Sequence, residues 1–575
     1  MAYDPPGSSH PLHVGAARVL EDNWTGASTV PSRGLYPHQW SWDSAFIAIG
    51  LRHLSPLRAQ TELETLLAAQ WGDGRIPHIV FNPSVPLDAY FPSPDFWRSS
   101  TAGHGAGAPR TVQTSGIVQP PVHALAAWLV HRADPGLSRA RGFLPRVYPR
   151  LAAWHRYLLH RRDLGGGGLA SVVHPWEQGM DNSPAWDLPL SRVTPAPARS
   201  FRRADLDHGA AEDRPTDLDY GRYVRLATEY RDAGYADGAG EFAVEDPAFN
   251  ALLIASEHAL ARIAAELGAP GTARHARAER LTAALVERLW DPASGMFLCR
   301  DLRGTAAGGR DPLGAGPDRG DLRRTSSDGR DLFGTKGELR DLRRAASDHQ
   351  DLRAATSDGQ DPFGTEANRR DLRRSASDHQ DPHGTSRDDR NPRGTSSDGQ
   401  DPLGTEADRQ DPLGTAPGLR GSLIPERTVS GLIPLLLPGL PRDIASALVR
   451  TLSGPHFGLG TTTRLPPSHD LLGEAFDPHR YWRGPAWFNT AWLLERGLRT
   501  HGEHRRADAL RESVLELAGA TDFAEYVDPY TGEACGTTGF SWTAALALDL
   551  LHSETTVTNH TTGTADMGLK GGNRR

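Results

Sequence analysis

A chain of 575 residues with a formal net charge of −8, and no basic cluster interleaved with aromatics, is not built to bind nucleic acid. No run approaches the roughly eighteen consecutive apolar residues of a membrane span, and the opening MAYDPPGSSHPLH lacks the basic and apolar regions of a secretory signal. Two cysteines, Cys299 and Cys535, exclude a disulfide framework and a Cys-based zinc site, and a cytoplasmic location is the expectation.

Apolar residues at three- and four-residue spacing predict helices in chain order around 11–24, from Asp43 to Leu54, and over 55–70, 120–132, 142–161, 217–235, 247–267 and 271–290. Further helices are predicted over 429–437, 441–453, 484–499, 503–518 and 539–552. Ser55-Pro56, Pro120-Pro121 and Asp246-Pro247 place proline near a first turn. Only short β-like fragments occur. Paired helices with alternately short and long loops suggest an all-α fold, an α/α toroid whose long loops gather at one end and carry the site.

Between Asp301 and Arg420 a unit of about ten residues repeats, as in SDGQDPFGTEANRRDLRR and SDGQDPLGTEADRQDPLG. Rich in Gly, Asp, Arg, Ser and Thr, it has too little apolar surface to offset chain entropy, so a long disordered insertion over 301–420 is expected. A calcium-binding solenoid would need an alternating hydrophobic that is missing. Removing the insertion leaves one catalytic domain of residues 1–300 and 421–552, followed by a frayed tail over 553–575.

Three loops combine acids with aromatics. Tyr36-Pro37-His38-Gln39-Trp40-Ser41-Trp42-Asp43 precedes an apolar helix; Asp43 could simply cap it, but a cap needs one Asp and not such a set. Aromatic faces and short polar groups suit a ligand with apolar C–H faces and many hydroxyls, such as a sugar. Trp71, Trp97, Trp176, Trp186 and Trp482 lie in similar polar surroundings and are further candidates to line a pocket. His174-Pro175-Trp176-Glu177-Gln178-Gly179-Met180-Asp181 is broken by Pro and Gly, hence a loop. Glu525-Tyr526-Val527-Asp528 with Glu533 forms the third, and Gly539-Phe540-Ser541-Trp542 opens the last helix. In Tyr481-Trp482-Arg483 a guanidinium stands beside two aromatics, able to grip a carboxylate in bidentate fashion or to make a surface pair at a helix start.

Cleaving a glycosidic bond takes two carboxyls, one kept protonated by an apolar setting and one ionised. Asp181, flanked by Met180 and Trp176, suits the first role and Glu525 the second; Glu177, Asp528 and Glu533 stay as rivals. A sugar epimerase, moving a proton with His38, His78 or His174, is the competing enzyme class.

The blocks YPHQWSWDSAF, TSGIVQPP, WEQGMDNSP, RPTDLDYGRY, RYWRGPAWFNTAWLL and EYVDPYTGE with GFSWTAALALDLL resemble glycoside hydrolase family 63, in its branch of mannosylglycerate and glucosylglycerate hydrolases. They recur in order over nearly all the chain outside the insertion and tail. The resemblance implies an (α/α)6 barrel, no metal or other cofactor, and a small sugar substrate cleaved with inversion to hexose and D-glycerate. It places the general acid at Asp181 and the general base at Glu525, about 6.5–9.5 Å apart as inversion requires. Substrate contacts carry over to Tyr36, Trp40, Trp42, Asp43, Tyr90, Gln119, Gly179, Arg214, Tyr481 and Trp482. Heavy use of Ala, Arg and Gly looks like a GC-rich bacterial coding sequence, which favours the glucosyl over the mannosyl substrate. A homo-oligomer stays open.

Overall fold

In a computed structural model the chain is described over residues 10–207, 211–304 and 421–561. The long helices are α1 (Pro11–Asp22), α2 (Ser41–Leu51), α3 (Pro56–Ala68), α4 (His123–Ala133), α5 (Phe143–Arg161), α6 (Asp217–Asp232), α7 (Pro247–Glu266), α8 (Thr272–Leu289), α9 (Arg442–Ser453), α10 (Phe488–Thr500), α11 (His504–Ala520) and α12 (Ser541–Thr561). Start signals act as expected at α3, where the Ser55 side chain accepts from the Arg58 amide ahead of Pro56, and at α7, where Asp246 accepts from the Phe249 amide ahead of Pro247.

Three boundaries differ from expectation for identifiable reasons. Helix α2 begins at Ser41 because the strand Gln39–Trp40 feeds straight into it, so Asp43 lies inside the first turn and is not the cap. Helix α4 begins at His123, past the Pro120-Pro121 pair. The segment Val429–Leu436 is a 3-10 helix, with Pro434 inside it.

Six elements close a cycle by packing each on the next: α2 on α4, α4 on α7, α7 on the 3-10 helix, that helix on α10, α10 on α12, and α12 back on α2. Around them, α1 packs on α12, α3 on α2, α5 on α4 and α7, α8 on α7, α9 on the 3-10 helix, and α11 on α10. The sequences match these positions. Every residue of α2 is buried, as a helix enclosed on all sides requires, whereas α9 buries one stripe of Ile444, Ala445, Leu448, Val449 and Leu452. Gly50 permits the close approach of α2 and α12, since a Cβ there would lie 2.3 Å from the Ala545 backbone of α12. Asp549 of α12, wholly buried, is held by Trp492 Nε1 at 2.9 Å and by the guanidinium groups of Arg52 and Arg496. A buried carboxylate is tolerable only with such pairing.

Short antiparallel strands tie the loops. One sheet runs in the order Ser171–Val172, Val244–Glu245, Arg300–Asp301, Ser422–Leu423. Its last pair, Arg300 with Leu423 and Asp301 with Ser422, brings together the two ends of the repeat segment. The folded part therefore continues past residue 300, through Gly304, while the disorder expected for the rest of the insertion concerns 305–420, which lies outside the described residues. Helix α12 runs on to Thr561, beyond the expected boundary at 553; the tail from 562 also lies outside them. Among the described residues no helix is long and apolar enough to cross a membrane.

Candidate active site

Three local structures deliver the carboxyls. The strand Gln39–Trp40 pairs with Ile79–Val80, fixing Trp40 opposite Ile79, and the first turn of α2 then presents Trp42 and Asp43. The Trp42 amide donates to Gln119 Oε1 at 3.1 Å, which joins the TSGIVQPP loop to that turn.

Asp181 follows the one-turn helix Pro175–Gln178 and Gly179, whose φ of +85° ends the turn. A Cβ on Gly179 would lie 2.7 Å from the Trp42 ring, so only glycine lets the loop lie on that indole. The backbone around Asp181 is pinned: the Met180 amide donates to Gln178 Oε1 at 2.9 Å, Trp186 Nε1 to the Met180 carbonyl at 2.7 Å, and the Tyr223 hydroxyl to the Asp181 carbonyl at 2.5 Å.

Glu525 stands just before Tyr526–Val527, the central strand between Ala486–Trp487 and Ala534–Cys535. Its Oε1 accepts from the Tyr36 hydroxyl at 3.0 Å, and Arg214 Nη2 lies 3.7 Å from its Oε2. Arg214 also donates to the Tyr36 oxygen at 3.1 Å, and its guanidinium sits 4.9 Å from the Tyr481 ring centre.

These elements line one cavity, open on one side to solvent. Tyr36, Trp40, Trp42, Asp43, Tyr90, Gln119, Gly179, Asp181, Arg214, Tyr481, Trp482 and Glu525 all line it. Arg483 does not: its guanidinium pairs with Asp187, the surface pair that was the plainer alternative to a carboxylate grip. Trp176 lines the cavity too, but Trp71, Trp97 and Trp186 belong to the core. Trp71 donates instead to Thr114 Oγ1 at 3.0 Å.

Sequence reasoning did not assign Pro31, Asp205, Pro215 and Tyr220 to the cavity, although all four line it. Tyr220 stood inside the RPTDLDYGRY block, whereas Asp205 lies in a stretch crowded with acids and no local pattern marks it. His78, named only for the competing epimerase, and Phe540 and Trp542, noted only at the start of the last helix, also face the cavity.

The rival acids are occupied elsewhere. Glu177 makes a buried bidentate pair with Arg162, at 2.6 and 2.7 Å, and accepts from the amides of Val118 and Val173. Asp528 accepts from the amides of Tyr530 and Thr531, closing its own turn, and Glu533 is exposed. Both ring nitrogens of His174 are bonded, to the Trp176 amide and the Tyr223 carbonyl. Burial pushes His38 and His174 down to about 4 and His78 to about 3, so all three are neutral near pH 7.

The two carboxyls in the cavity have contrasting surroundings. Burial pushes Asp181 up to about 7; its own backbone amide and Arg214 oppose this, while the charges of Asp205 and Glu525 add to it. Burial also raises Glu525, but Arg214 beside it and the hydrogen bonds from Tyr36, the Thr537 amide and Tyr481 all favour its ionised form. Burial thus raises both acids, Asp181 to about 7, while the cation and hydroxyl donors gathered at Glu525 work to favour its ionised form. Asp43 is raised well above the usual range by burial, opposed by its own amide.

Residues 36–331 and 355–543 match the mannosylglycerate hydrolase MGH1-like glycoside hydrolase domain. A mannosylglycerate hydrolase of Rubrobacter radiotolerans is 34% identical over 543 residues, covering 93% of this chain and 96% of its own. A glucosylglycerate hydrolase of Mycolicibacterium hassiacum is 32% identical over 565 residues, covering 96% and 100%. The crystal structure of a GH63 mannosylglycerate hydrolase from Thermus thermophilus in complex with Tris aligns with a TM-score of 0.67 at 31% identity, over 94% of this chain and 100% of that one.

Proposed function

The chain belongs to the MGH1-like glycoside hydrolases of family 63, and from that premise we propose that it hydrolyses an α-glycosyl-glycerate, glucosylglycerate in preference to mannosylglycerate, with inversion. That it is a glycosidase follows from the family itself. We read the closed cycle of helices and its outer layer as the (α/α)6 toroid, with the cavity at the end where the long loops gather.

In this reading Asp181 donates its proton to the oxygen leaving with glycerate. Glu525 takes a proton from water, whose oxygen attacks the anomeric carbon from the opposite face. The indoles of Trp40, Trp42 and Trp482 offer faces for the C–H side of the hexose, and Arg214 offers a cation to the glycerate carboxylate. The products are hexose and D-glycerate, and the cytoplasm is the proposed compartment. The observation that carries the proposal is the pair of carboxyls sharing one aromatic cavity, with Asp181 raised to about 7 by burial and Glu525 bonded by the Tyr36 hydroxyl beside Arg214.

The test is to incubate the protein with glucosylglycerate, mannosylglycerate and a kojibiose-like disaccharide and measure hexose release. Glucosylglycerate should give the highest kcat/KM. Asp181→Asn and Glu525→Gln should each lose at least about a hundredfold. Near-normal activity in either variant removes that residue from the mechanism, and cleavage of the disaccharide alone overturns the substrate.

A further inference from the structure

Two carboxyls besides Asp181 and Glu525 line the cavity, Asp43 of α2 and Asp205, and the mechanism above gives Asp205 no task. Its setting differs from that of the other three. Arg203 grips it edge-on, Nε on Oδ1 at 2.9 Å and Nη2 on Oδ2 at 2.7 Å, a bidentate geometry that fixes the carboxylate in place. The guanidinium is itself immobilised. Nη1 reaches Asp217 at 3.0 Å, Nη2 also donates to the Pro215 carbonyl at 2.9 Å, and the group stacks 4.3 Å from the Tyr220 ring centre. Arg203 thereby fastens Asp205 to the segment that carries Arg214.

A carboxylate has about four acceptor positions, two on each oxygen. Arg203 fills one on each, and among the described residues no other hydrogen bond to Asp205 occurs. The side chains of Asp205 and Arg203 are 15% and 8% exposed, so the remaining acceptors belong to a group largely withdrawn from bulk water but lining the cavity. A fixed anion there repels a carboxylate and attracts hydroxyl donors.

Resting on the glycosyl-glycerate reading, we propose that Asp205, clamped by Arg203, is a substrate-binding residue that accepts hydrogen bonds from hydroxyl groups of the bound glycosyl-glycerate. Its fixed charge also turns the glycerate carboxylate away from this wall, towards Arg214. Asp205 is close enough to Asp181 for its charge to help keep that acid protonated.

The experiment is a cycle between residue and substrate. First, kcat/KM is measured for the parent on the glycosyl-glycerate it cleaves best; if it cleaves none, the substrate reading fails and Asp205 is not at issue. Asp205→Asn and Asp205→Ser are then assayed on that substrate and on analogues lacking one hydroxyl each, in the hexose or in the glycerate. Losing a hydrogen bond to a charged acceptor predicts a fall of about 10- to 100-fold in kcat/KM, mainly through KM. At least one deoxy analogue should lose as much with the parent and almost nothing further with the variants, and that analogue identifies the hydroxyl. Variants within twofold of the parent overturn the proposal. So does an equal loss on every analogue, with or without a lowered melting temperature, because that is the mark of a purely structural clamp.

Discussion

Replacing Asp181 by Asn should make the protein more stable while nearly abolishing its activity. Burial lifts the Asp181 carboxyl from its ordinary 3.8 to about 7. Because the folded value is raised, its contribution to stability is fully present below the unfolded value, near pH 4, and is lost as pH rises through about 7. At about 1.4 kcal/mol for each tenfold step, the ionisation denied to the folded state amounts to about 4 kcal/mol in a dry cavity, and about half that with water at the cavity mouth. Asn has nearly the same shape and no charge to bury. Thermal midpoints of parent and Asp181→Asn, compared from about pH 3.5 to 8, should nearly coincide at the acid end and diverge by several degrees at the alkaline end, with the variant higher. Activity of the variant should fall at least about a hundredfold throughout. A variant less stable than the parent at pH 8, or a difference independent of pH, would refute the reasoning that this carboxyl is held protonated against its surroundings.

In Tyr36→Phe the hydroxyl that donates to Glu525 is lost, and with it a bond favouring the ionised base. The acid limb of the kcat/KM profile should move up by about one pH unit, with the alkaline limb unchanged; an unmoved acid limb contradicts the assigned role of Glu525. Gly179→Ala should destabilise by about 1–3 kcal/mol and reduce activity, since it combines positive φ with a clash on Trp42; chemical denaturation checks it, and a neutral effect would mean the loop can shift. Replacing residues 305–420 by a short glycine-containing turn should leave melting and activity close to the parent, because Arg300–Asp301 already pairs with Ser422–Leu423. A folded but inactive deletion would show that the repeat takes part in catalysis.

Helices were legible where burial follows a local period, as in the stripe of α9 or the proline-led starts of α3 and α7. The start of α2 was not, because a strand rather than a capping side chain sets it. In the same way the aromatic and acidic loops announced most of the cavity, since residue types that suit a sugar are uncommon together in so short a stretch. What failed depends on partners far apart in the chain. Arg483 looked like a carboxylate grip until Asp187, 296 positions away, is seen to hold it. Glu177 looked as catalytic as Asp181 until Arg162 claims both its oxygens. Asp205 had no local mark, and only the packing of its loop beside Arg214 brings it to the cavity.

The central claim is that Asp181 and Glu525 act on opposite faces of one glycosidic bond. NMR of the first-formed sugar, recorded during hydrolysis of α-glucosylglycerate before mutarotation, tests it most directly. The account predicts β-glucose appearing first together with D-glycerate. The α-anomer appearing first would mean retention and a nucleophile attached to the sugar, and the roles given to both carboxyls would be wrong.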